Sequence, residues 1–517
     1  MFTTYTSEPA GLPATPSDFT DRNFVTDNAI STDTVAGTPT PDHSKRNSLV
    51  INLMLVATFV VILNETIIGV AIPRLMEDLN ISASTAQWLS TAFMLTMAVV
   101  IPTTGFIMQR LSTRTVFILA MTLFSAGTAI AAIAPGFEIL LIARIVQASG
   151  TAIMMPLLMT TVMTLVPPHS RGRTMGNISL VISVAPAVGP TVSGLILSVF
   201  DWRFIFILVL PIAIAALALG AARVQNVTEP RKVPLDSLSV VLSAFAFGGL
   251  IFGLSSLGEA AAGNSVVAPW IPIAVGGVAL GLFILRQLVL QRGDRAFLDL
   301  RTFKSRGFSV SIALMVMLMG ALFGTIILLP IYIQDVLLLE PLQTGLILLP
   351  GSALMGVLAP FVGRLFDKVG PRPLIVPGTI VVSAALWSLA MFNENTPWQL
   401  VLVAYLGLGL GLAFTFTPLF TTSLGSLKPH LYAAGSATVA TVQQLAGAAG
   451  TALFIALYTI GSLAATRTGV SETAALASGV QSAFMAGAIL SLLAIVAAFF
   501  VPRPDPALAP AGAPAGH

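Results

Sequence analysis

Two charged residues stand alone within long apolar stretches of the chain, and they are the side chains best placed to do chemistry. Glu65 interrupts the run VVILNETIIGVAIP, and Arg144 interrupts the run EILLIARIVQASG. An isolated charge near the middle of a bilayer costs at least ~2.5 to 3.5 kcal/mol on insertion scales. We therefore expect each of them to face a polar cavity or the other charge.

A carboxyl group in such a place can take up and release a proton. Removal from water favours its protonated form, whereas a neighbouring guanidinium favours its ionised form, so a conformational change that alters either effect moves a proton. One proton that moves down a potential of 100 mV supplies ~2.3 kcal/mol, which can drive export of a substrate. This predicts proton coupling by Glu65 and Arg144. Two alternatives stay open: a permanent Glu65–Arg144 pair that fixes helix packing without proton coupling, and direct contact of Glu65 with a cationic substrate.

The composition indicates which elements must hold these charges. Hydrophobic residues make up 56% of the 517-residue chain and charged residues only 9%, against roughly 25% charged residues in a soluble globular protein. A helix needs ~20 mainly apolar residues to cross ~30 Å of hydrocarbon. The apolar runs predict an all-α polytopic membrane protein with fourteen spans, at residues 50–72, 85–108, 115–134, 138–163, 174–199, 204–222, 237–257, 268–288, 307–333, 342–364, 373–391, 398–423, 432–460 and 479–501.

The distribution of basic residues predicts the orientation of the chain. With both termini in the cytoplasm, the predicted cytoplasmic segments hold 21 of the 25 Lys and Arg residues, as the positive-inside rule requires. At 1.5 Å per residue, Glu65 and Arg144 then lie about 10 Å and about 9 Å from the outer face, so we expect them to be close together. The polar ends at 1–47 and 502–517 predict disordered cytoplasmic tails.

Short matches indicate an internal repeat. In GFIMQRLSTR and GRLFDKVGPR, two basic residues follow a glycine at the same two distances, and Gly105 and Gly363 are 258 residues apart. Pro-His pairs at 168 and 429 are offset by 261 residues. Such repeats are typical of secondary transporters. We predict two six-helix halves of parallel topology, at 48–222 and 291–501, with two extra central helices at 223–290.

Several stretches resemble one family of transporters. They are LNETIIGVAIP, GFIMQRLSTR, RIVQASGTA and APAVGPTVSG, the last followed by DWRFIF. Together they are similar to the fourteen-helix drug/proton antiporters of the major facilitator superfamily, and among these to the lincomycin-resistance-like multidrug exporters. The resemblance implies a proton-coupled exporter of hydrophobic or amphipathic drugs, hence antibiotic resistance, in a bacterial inner membrane. An exporter of one endogenous metabolite on the same scaffold is the alternative.

The chain departs from the family's pattern at four positions. The family usually has Asp where this chain has Asn64, so the carboxylate has moved by one residue to Glu65, about 100° around the helix. In the first-half turn, Gln109 and Ser112 replace the family's Asp and second Gly. The second-half turn keeps Asp367. If that Asp latches a gate against a neighbouring helix end, Gln109 must serve in the first half as a neutral hydrogen-bonding group.

Helix periodicity extends the candidate site beyond the two charges. Residues three and seven positions after Arg144 share its helix face, and small residues four apart in the fifth span let helices approach closely. An interhelical hydrogen bond by Gln147 and a pure packing role for the fifth span are the alternatives. Residues predicted to line the cavity or bind substrate are Asn64, Thr66, Gln147, Thr151, Gln443 and Gln444. Residues predicted to act in gating are Gly105, Gln109, Arg110, Arg114, Gly189, Pro190, Ser193, Gly363, Asp367, Lys368 and Arg372.

Other classes of protein fit the sequence less well. The chain has no cysteine and four histidines, none of them inside an apolar run, so we expect no metal site. It has no cluster of His, Asp or Glu typical of an integral membrane enzyme, no Walker-type phosphate loop and no rings of charge typical of a channel. Its bases are spread over short loops, which argues against nucleic-acid binding. We expect small-molecule substrates, a lipid environment, no obligate protein partner, and a proton gradient instead of a cofactor.

Overall fold

The computed structural model describes residues 44–226, 230, 236–261, 267–293 and 295–503. Most of each predicted tail, 1–43 and 504–517, lies outside these residues. The first tail ends earlier than predicted, because Ser44 already belongs to the first helix.

Fourteen stretches of this part of the chain are long and apolar enough to cross a membrane, which confirms the predicted number of spans. Because every backbone polar group must be satisfied inside the bilayer, the apolar runs fold as helices. One span, the seventh, consists of α7, the π-helical segment Ala244–Gly248 and α8. The α-helices are α1 (Ser44–Leu79), α2 (Ala83–Arg110), α3 (Thr113–Ala132), α4 (Phe137–Leu165), α5 (Arg171–Leu197), α6 (Arg203–Arg223), α7 (Ser237–Ser243), α8 (Gly249–Ala261), α9 (Trp270–Leu290), α10 (Arg306–Ile331), α11 (Pro341–Val369), α12 (Arg372–Ala390), α13 (Trp398–Gly425), α14 (Tyr432–Thr466) and α15 (Glu472–Phe499).

Local capping residues set several helix boundaries. Ser112 accepts a hydrogen bond from the backbone N–H of Thr115, so the residue that replaces the family's glycine begins α3. The first helix differs from its predicted end at residue 72. It runs past Pro73 into polar residues and stops before Asn80, whose φ of 50° is left-handed.

The two halves are α1–α6 and α10–α15. In the first, α3 packs on α4 and α6, and α1 on α5; in the second, α14 packs on α10 and α15, and α12 on α13. The two most extensive contacts between the halves are α5 with α11 and α2 with α14, which we call the α5/α11 seam and the α2/α14 seam. We call the end of the bundle with the links after α2, α4, α6, α9, α11 and α13 the basic end, because these links and the helix ends beside them carry most of the basic residues.

The central helices are held at the basic end by an ion pair. Asp236, which caps α7, accepts bonds of 2.7 Å and 2.6 Å from Nε and a terminal nitrogen of Arg286 in α9. This guanidinium, together with hydrogen bonds from Ser239, lowers the pKa of the Asp236 carboxyl group to about 2. The pair therefore keeps both of its charges at any physiological pH.

We expect Asp236→Asn to lower the apparent Tm of the purified protein at pH 7 by about 2–4 °C, a loss of about 1 kcal/mol, since the pair is partly exposed. The folded-state pKa lies below that of an unfolded Asp, about 3.9. The stabilisation is therefore present above pH 4 and lost only as the pH falls through about 2. Thermal melts of both proteins from pH 5 to 8 should show a constant difference in Tm. A difference that closes within this range would contradict the assignment.

Candidate functional site

Arg144 is the centre of a buried polar cluster in the first half. Its side chain is 0% exposed. One terminal nitrogen donates to Oε1 of Gln147 at 2.6 Å and to Oδ1 of Asn64 at 3.3 Å. The guanidinium lies over the ring of Phe93, 4.0 Å from its centroid. Its Nε and other terminal nitrogen are buried and bond to no residue that the structure describes, so the guanidinium keeps unused donors.

The cluster continues from α4 into α3. Nε2 of Gln147 donates to the hydroxyl of Thr128 at 2.8 Å, and the hydroxyl of Thr151 donates to the backbone oxygen of Gln147. Asn64, Gln147 and Thr151 are 1%, 0% and 5% exposed. All three side chains are buried in this structure, and a cavity-lining role for them stays a prediction. For Gln147, the alternative of an interhelical hydrogen bond is the one observed.

Glu65 is next to this cluster but is not bonded to it. Its side chain has intermediate exposure, and it forms no hydrogen bond or ion pair within the described part of the chain. It nevertheless lies near Arg144, because it directly follows Asn64, which Arg144 contacts. Successive residues of a helix differ by about 100°, so when Asn64 points at Arg144, Glu65 points elsewhere. The direct partner of Arg144 is Asn64, the position where the family carries its Asp, whereas Glu65 has no hydrogen-bond or ion-pair partner among the described residues.

The small residues of α5 pack directly on α1. A Cβ at Gly189 would lie 2.2 Å from Oγ1 of Thr66, and the Ser193 hydroxyl donates to the backbone oxygen of Ile67 at 3.0 Å. These small residues thus hold the segment of α1 that carries Glu65 against α5, and both helices belong to the first half. Pro190 lies in α5, but its side chain falls outside the described positions.

We expect Gly189→Ala to destabilise the protein, because overpacking at a close helix contact costs about 1–3 kcal/mol. Gly194→Ala is the matched control, since a Cβ at Gly194 meets no atom within 4 Å. Removing the obstructing oxygen with Thr66→Ala should recover part of the loss. Thermal melts of the three variants measure this, and equal effects at 189 and 194 would exclude the contact as the cause.

The α5/α11 seam contains a polar contact between the halves. At the α5/α11 seam, Asp367 accepts hydrogen bonds from the backbone N–H groups of Gly172 (2.7 Å) and Arg173 (2.9 Å). These are first-turn amides of α5, where unpaired donors and the helix dipole favour an anion. Gly363 allows α11 to approach α5 closely, since a Cβ there would lie 2.1 Å from the backbone oxygen of Gly172.

The two glutamines of α14 lie farther along the α2/α14 seam. Gln443 and Gln444 have intermediate exposure, and Nε2 of Gln444 is 4.0 Å from the sulfur of Met97 in α2. These two side chains are therefore accessible, as cavity-lining residues must be. Gly447 packs against the ring of Phe323 in α10.

Comparisons with known proteins agree with this architecture. The family model described as Major Facilitator Superfamily matches residues 54–451. The chain belongs to the major facilitator superfamily.

The lincomycin resistance protein LmrB of Listeria monocytogenes is 40% identical over 457 residues, 87% of this chain and 96% of that protein. An uncharacterised MFS-type transporter, YcnB of Bacillus subtilis, is 39% identical over 89% of this chain and 96% of its own length. Among solved structures, the proton:xylose symporter XylE aligns with a TM-score of 0.61 at 16% identity, covering 90% of this chain and 98% of XylE. This major facilitator chain is thus a multi-pass transporter of the cell membrane and not an enzyme.

The remaining predicted gating residues of this major facilitator protein lie at the basic end with different contacts. Arg110 is over the ring of Phe106, 5.9 Å from its centroid. The backbone N–H of Arg114 donates to Oδ1 of Asn226. Lys368 is exposed, and Nε of Arg372 donates to the backbone oxygen of Val501 at 2.9 Å. Arg110 stands beside the α2/α14 seam, since Phe106 follows Gly105, and Lys368 follows Asp367 of the α5/α11 seam.

Sequence reasoning missed contacts between the halves at the links that precede α5 and α14. Arg171 is buried, donates to the backbone oxygens of Met163 and Val166, and reaches the hydroxyl of Tyr432 at 3.4 Å. Arg171 and Tyr432 are 261 residues apart, the offset of the Pro-His pairs. Equivalent residues of a two-fold repeat meet at its axis, so that offset was the signal that could have identified this contact.

Proposed function

We propose that this transporter is a proton-coupled exporter of hydrophobic or amphipathic drugs, working as an antiporter. The observation that carries the proposal is the placement of Glu65. It is the single acid within the apolar part of the first half, it is partly accessible, and it lies within Coulombic range of a buried guanidinium that it does not bond. The LmrB proteins, about 40% identical, support drugs as the substrates.

The geometry supports a simple exchange cycle. Arg144 is held in place by Asn64 and Gln147, so its charge stays at one position while Glu65 is free to gain or lose a proton. A bound substrate that excludes water from Glu65, or a movement that changes its distance from Arg144, shifts the proton affinity of the carboxyl group. Competition between substrate and proton for this site couples their opposite movements.

The direction of transport follows from the orientation predicted by the positive-inside rule. With the basic end in the cytoplasm, closure of the cytoplasmic side of the pathway is the role that we assign to the seams, and the contacts of Asp367 and Gly363 with α5 support it. Drug and proton then exchange on the outer side, and opening of the seams gives access to cytoplasmic drug. The proposed cycle uses the proton gradient and requires neither a cofactor nor a protein partner.

Proton release by the purified protein tests the proposal. Detergent-solubilised transporter, in weakly buffered solution with a pH-sensitive dye, is mixed with lincomycin or with a lipophilic cation such as ethidium. We expect release of protons that saturates with drug concentration. In proteoliposomes, an imposed proton gradient should drive drug uptake against its concentration. Drug transport without proton movement would exclude coupling, whereas no response to any drug would favour a specific metabolite as substrate.

A further inference from the structure

The two seams are related by the internal repeat, yet they are not closed in the same way. Gly105 of α2 faces Ala433 and Ala437 of α14, and Gly363 of α11 faces Gly172 and Gly176 of α5. The facing residues of α5 and α14 are offset by 261 positions, and the two glycines by 258. The seams are therefore repeat-related copies of one contact.

The α2/α14 seam is less closely packed, and it lacks a contact between a carboxylate and backbone amides like that of Asp367 with α5. A Cβ at Gly105 would meet its nearest atom, Cβ of Ala437, at 3.3 Å, against 2.1 Å for Gly363 at the other seam. In place of Asp367 the first half has Gln109, which hydrogen-bonds no residue that the structure describes. Among the described residues, the first-turn amides of α14 thus receive no carboxylate equivalent to the one on α5.

The central helices cover this weaker seam. The π-helical segment packs on α2, where a Cβ at Gly248 would lie 3.3 Å from Cδ1 of Leu95, and α8 packs on α14. In the described part of the chain, neither α5 nor α11 packs extensively on these helices. One buried apolar cluster joins both sides of the seam to the central helices and the link after them; it contains Ala98, Phe106, Ala246, Phe247, Ile251, Ala279, Phe283, Phe297, Leu298 and Ala437.

One buried side chain holds this assembly together at the basic end. Gln287 of α9 is 0% exposed, and its Oε1 accepts from the backbone N–H groups of Phe297 (2.8 Å) and Leu298 (3.1 Å). Its Nε2 donates to the hydroxyl of Ser239 at 2.7 Å. The ring of Phe297, fixed in this way, stacks on Phe106 with centroids 6.1 Å apart. Phe106 adjoins Gly105, so Gln287 positions an aromatic contact on the seam itself.

We propose that the two central helices are a clamp that keeps the α2/α14 seam closed at the basic end, in place of the carboxylate latch that the first half lacks. Gln287 is the positioning residue of the clamp. The inference needs only that the halves of a major facilitator protein separate at this end during transport, and it does not depend on proton coupling or on the substrate. It assigns a role in gating to helices that a twelve-helix transporter does not have.

The absence of cysteine allows a direct test. Nitroxide labels on cysteines introduced at Arg110 and Lys428, both exposed and on opposite sides of the seam, report the closed and separated populations by double electron–electron resonance. We expect Gln287→Leu to raise the ratio of separated to closed protein about tenfold, because it leaves two buried backbone N–H groups without an acceptor. The control is Gln291→Leu, one turn later, since Nε2 of Gln291 is buried without a partner.

Restoring the missing latch provides the second arm. Gln109→Asp places a carboxylate opposite the first-turn amides of α14, as Asp367 is opposite those of α5. Added to Gln287→Leu, it should return most of the population to the closed form. The effects of the two substitutions on the ratio of separated to closed protein should be non-additive, because both act at the same seam. If Gln287→Leu does not yield folded protein by size exclusion, Phe297→Leu removes the stacking alone and should shift the population in the same direction. An unchanged population in the folded variants, or no rescue by Gln109→Asp, would overturn the clamp.

Discussion

Glu65→Gln is expected to abolish drug-induced proton release, with a fall of at least about tenfold in transport driven by a proton gradient, because an amide cannot carry a proton between the two sides. Gln has nearly the shape of Glu, and Glu65 forms no hydrogen bond in the described structure that the change could break. We therefore expect the variant to fold and to bind neutral drugs. Dye-reported proton release and binding of a tritiated drug, measured on the same preparation, separate these two effects.

Two further variants show which property of Glu65 matters. Glu65→Asp keeps the acid and should retain coupling with a shifted pH dependence. In the double variant Asn64→Asp/Glu65→Gln, the carboxylate moves to the position that is 3.3 Å from a terminal nitrogen of Arg144. A direct pair there should hold the acid ionised and leave coupling weaker than in the wild type. Normal proton exchange by Glu65→Gln alone would show that Glu65 does not carry the proton.

The number of spans and the two halves could be predicted from the sequence because the bilayer leaves little choice. A run of twenty apolar residues must form a helix there, and the placement of basic residues checks the count. Counting residues from the helix ends predicts that Glu65 and Arg144 are level. In the structure Arg144 contacts Asn64, the residue that precedes Glu65.

Rotation of a helix about its axis could not be read in the same way. Arg144 is level with both Asn64 and Glu65, and only the packing of α1 against α4 and α5 decides that Asn64 faces it. Similarly, periodicity placed Gln147 and Thr151 on the face of Arg144, but the position of α3 makes that face part of the core. The clamp was hidden because Gln287 binds backbone amides ten residues along the chain, a contact that leaves no sequence signature.

Asp367→Asn is expected to open the α5/α11 seam and to lower active transport on the order of tenfold. Each carboxylate oxygen accepts one backbone N–H, from Gly172 and from Arg173. An Asn side chain has one acceptor oxygen, so its NH₂ group must face one of these donors. Hydrogen bonds to a charged group contribute about 1.5–3 kcal/mol, and a loss of 1.4 kcal/mol changes the ratio of closed to open protein about tenfold.

Nitroxide labels at Arg173 and Arg364, both exposed near the basic end, measure the opening. Lys368→Gln is the matched control, because Lys368 is the next residue of α11 and is exposed, although both positions were predicted to act in gating. If the anion at the start of α5 is the latch, the change at 367 shifts the population and the change at 368 leaves it unchanged. Equal shifts would mean that overall charge at the basic end, and not the contact with α5, keeps the halves together. If instead only the change at 367 shifts the population, the latch and the clamp act on one equilibrium from two seams, and Asp367→Asn combined with Gln287→Leu should open the basic end further than either change alone.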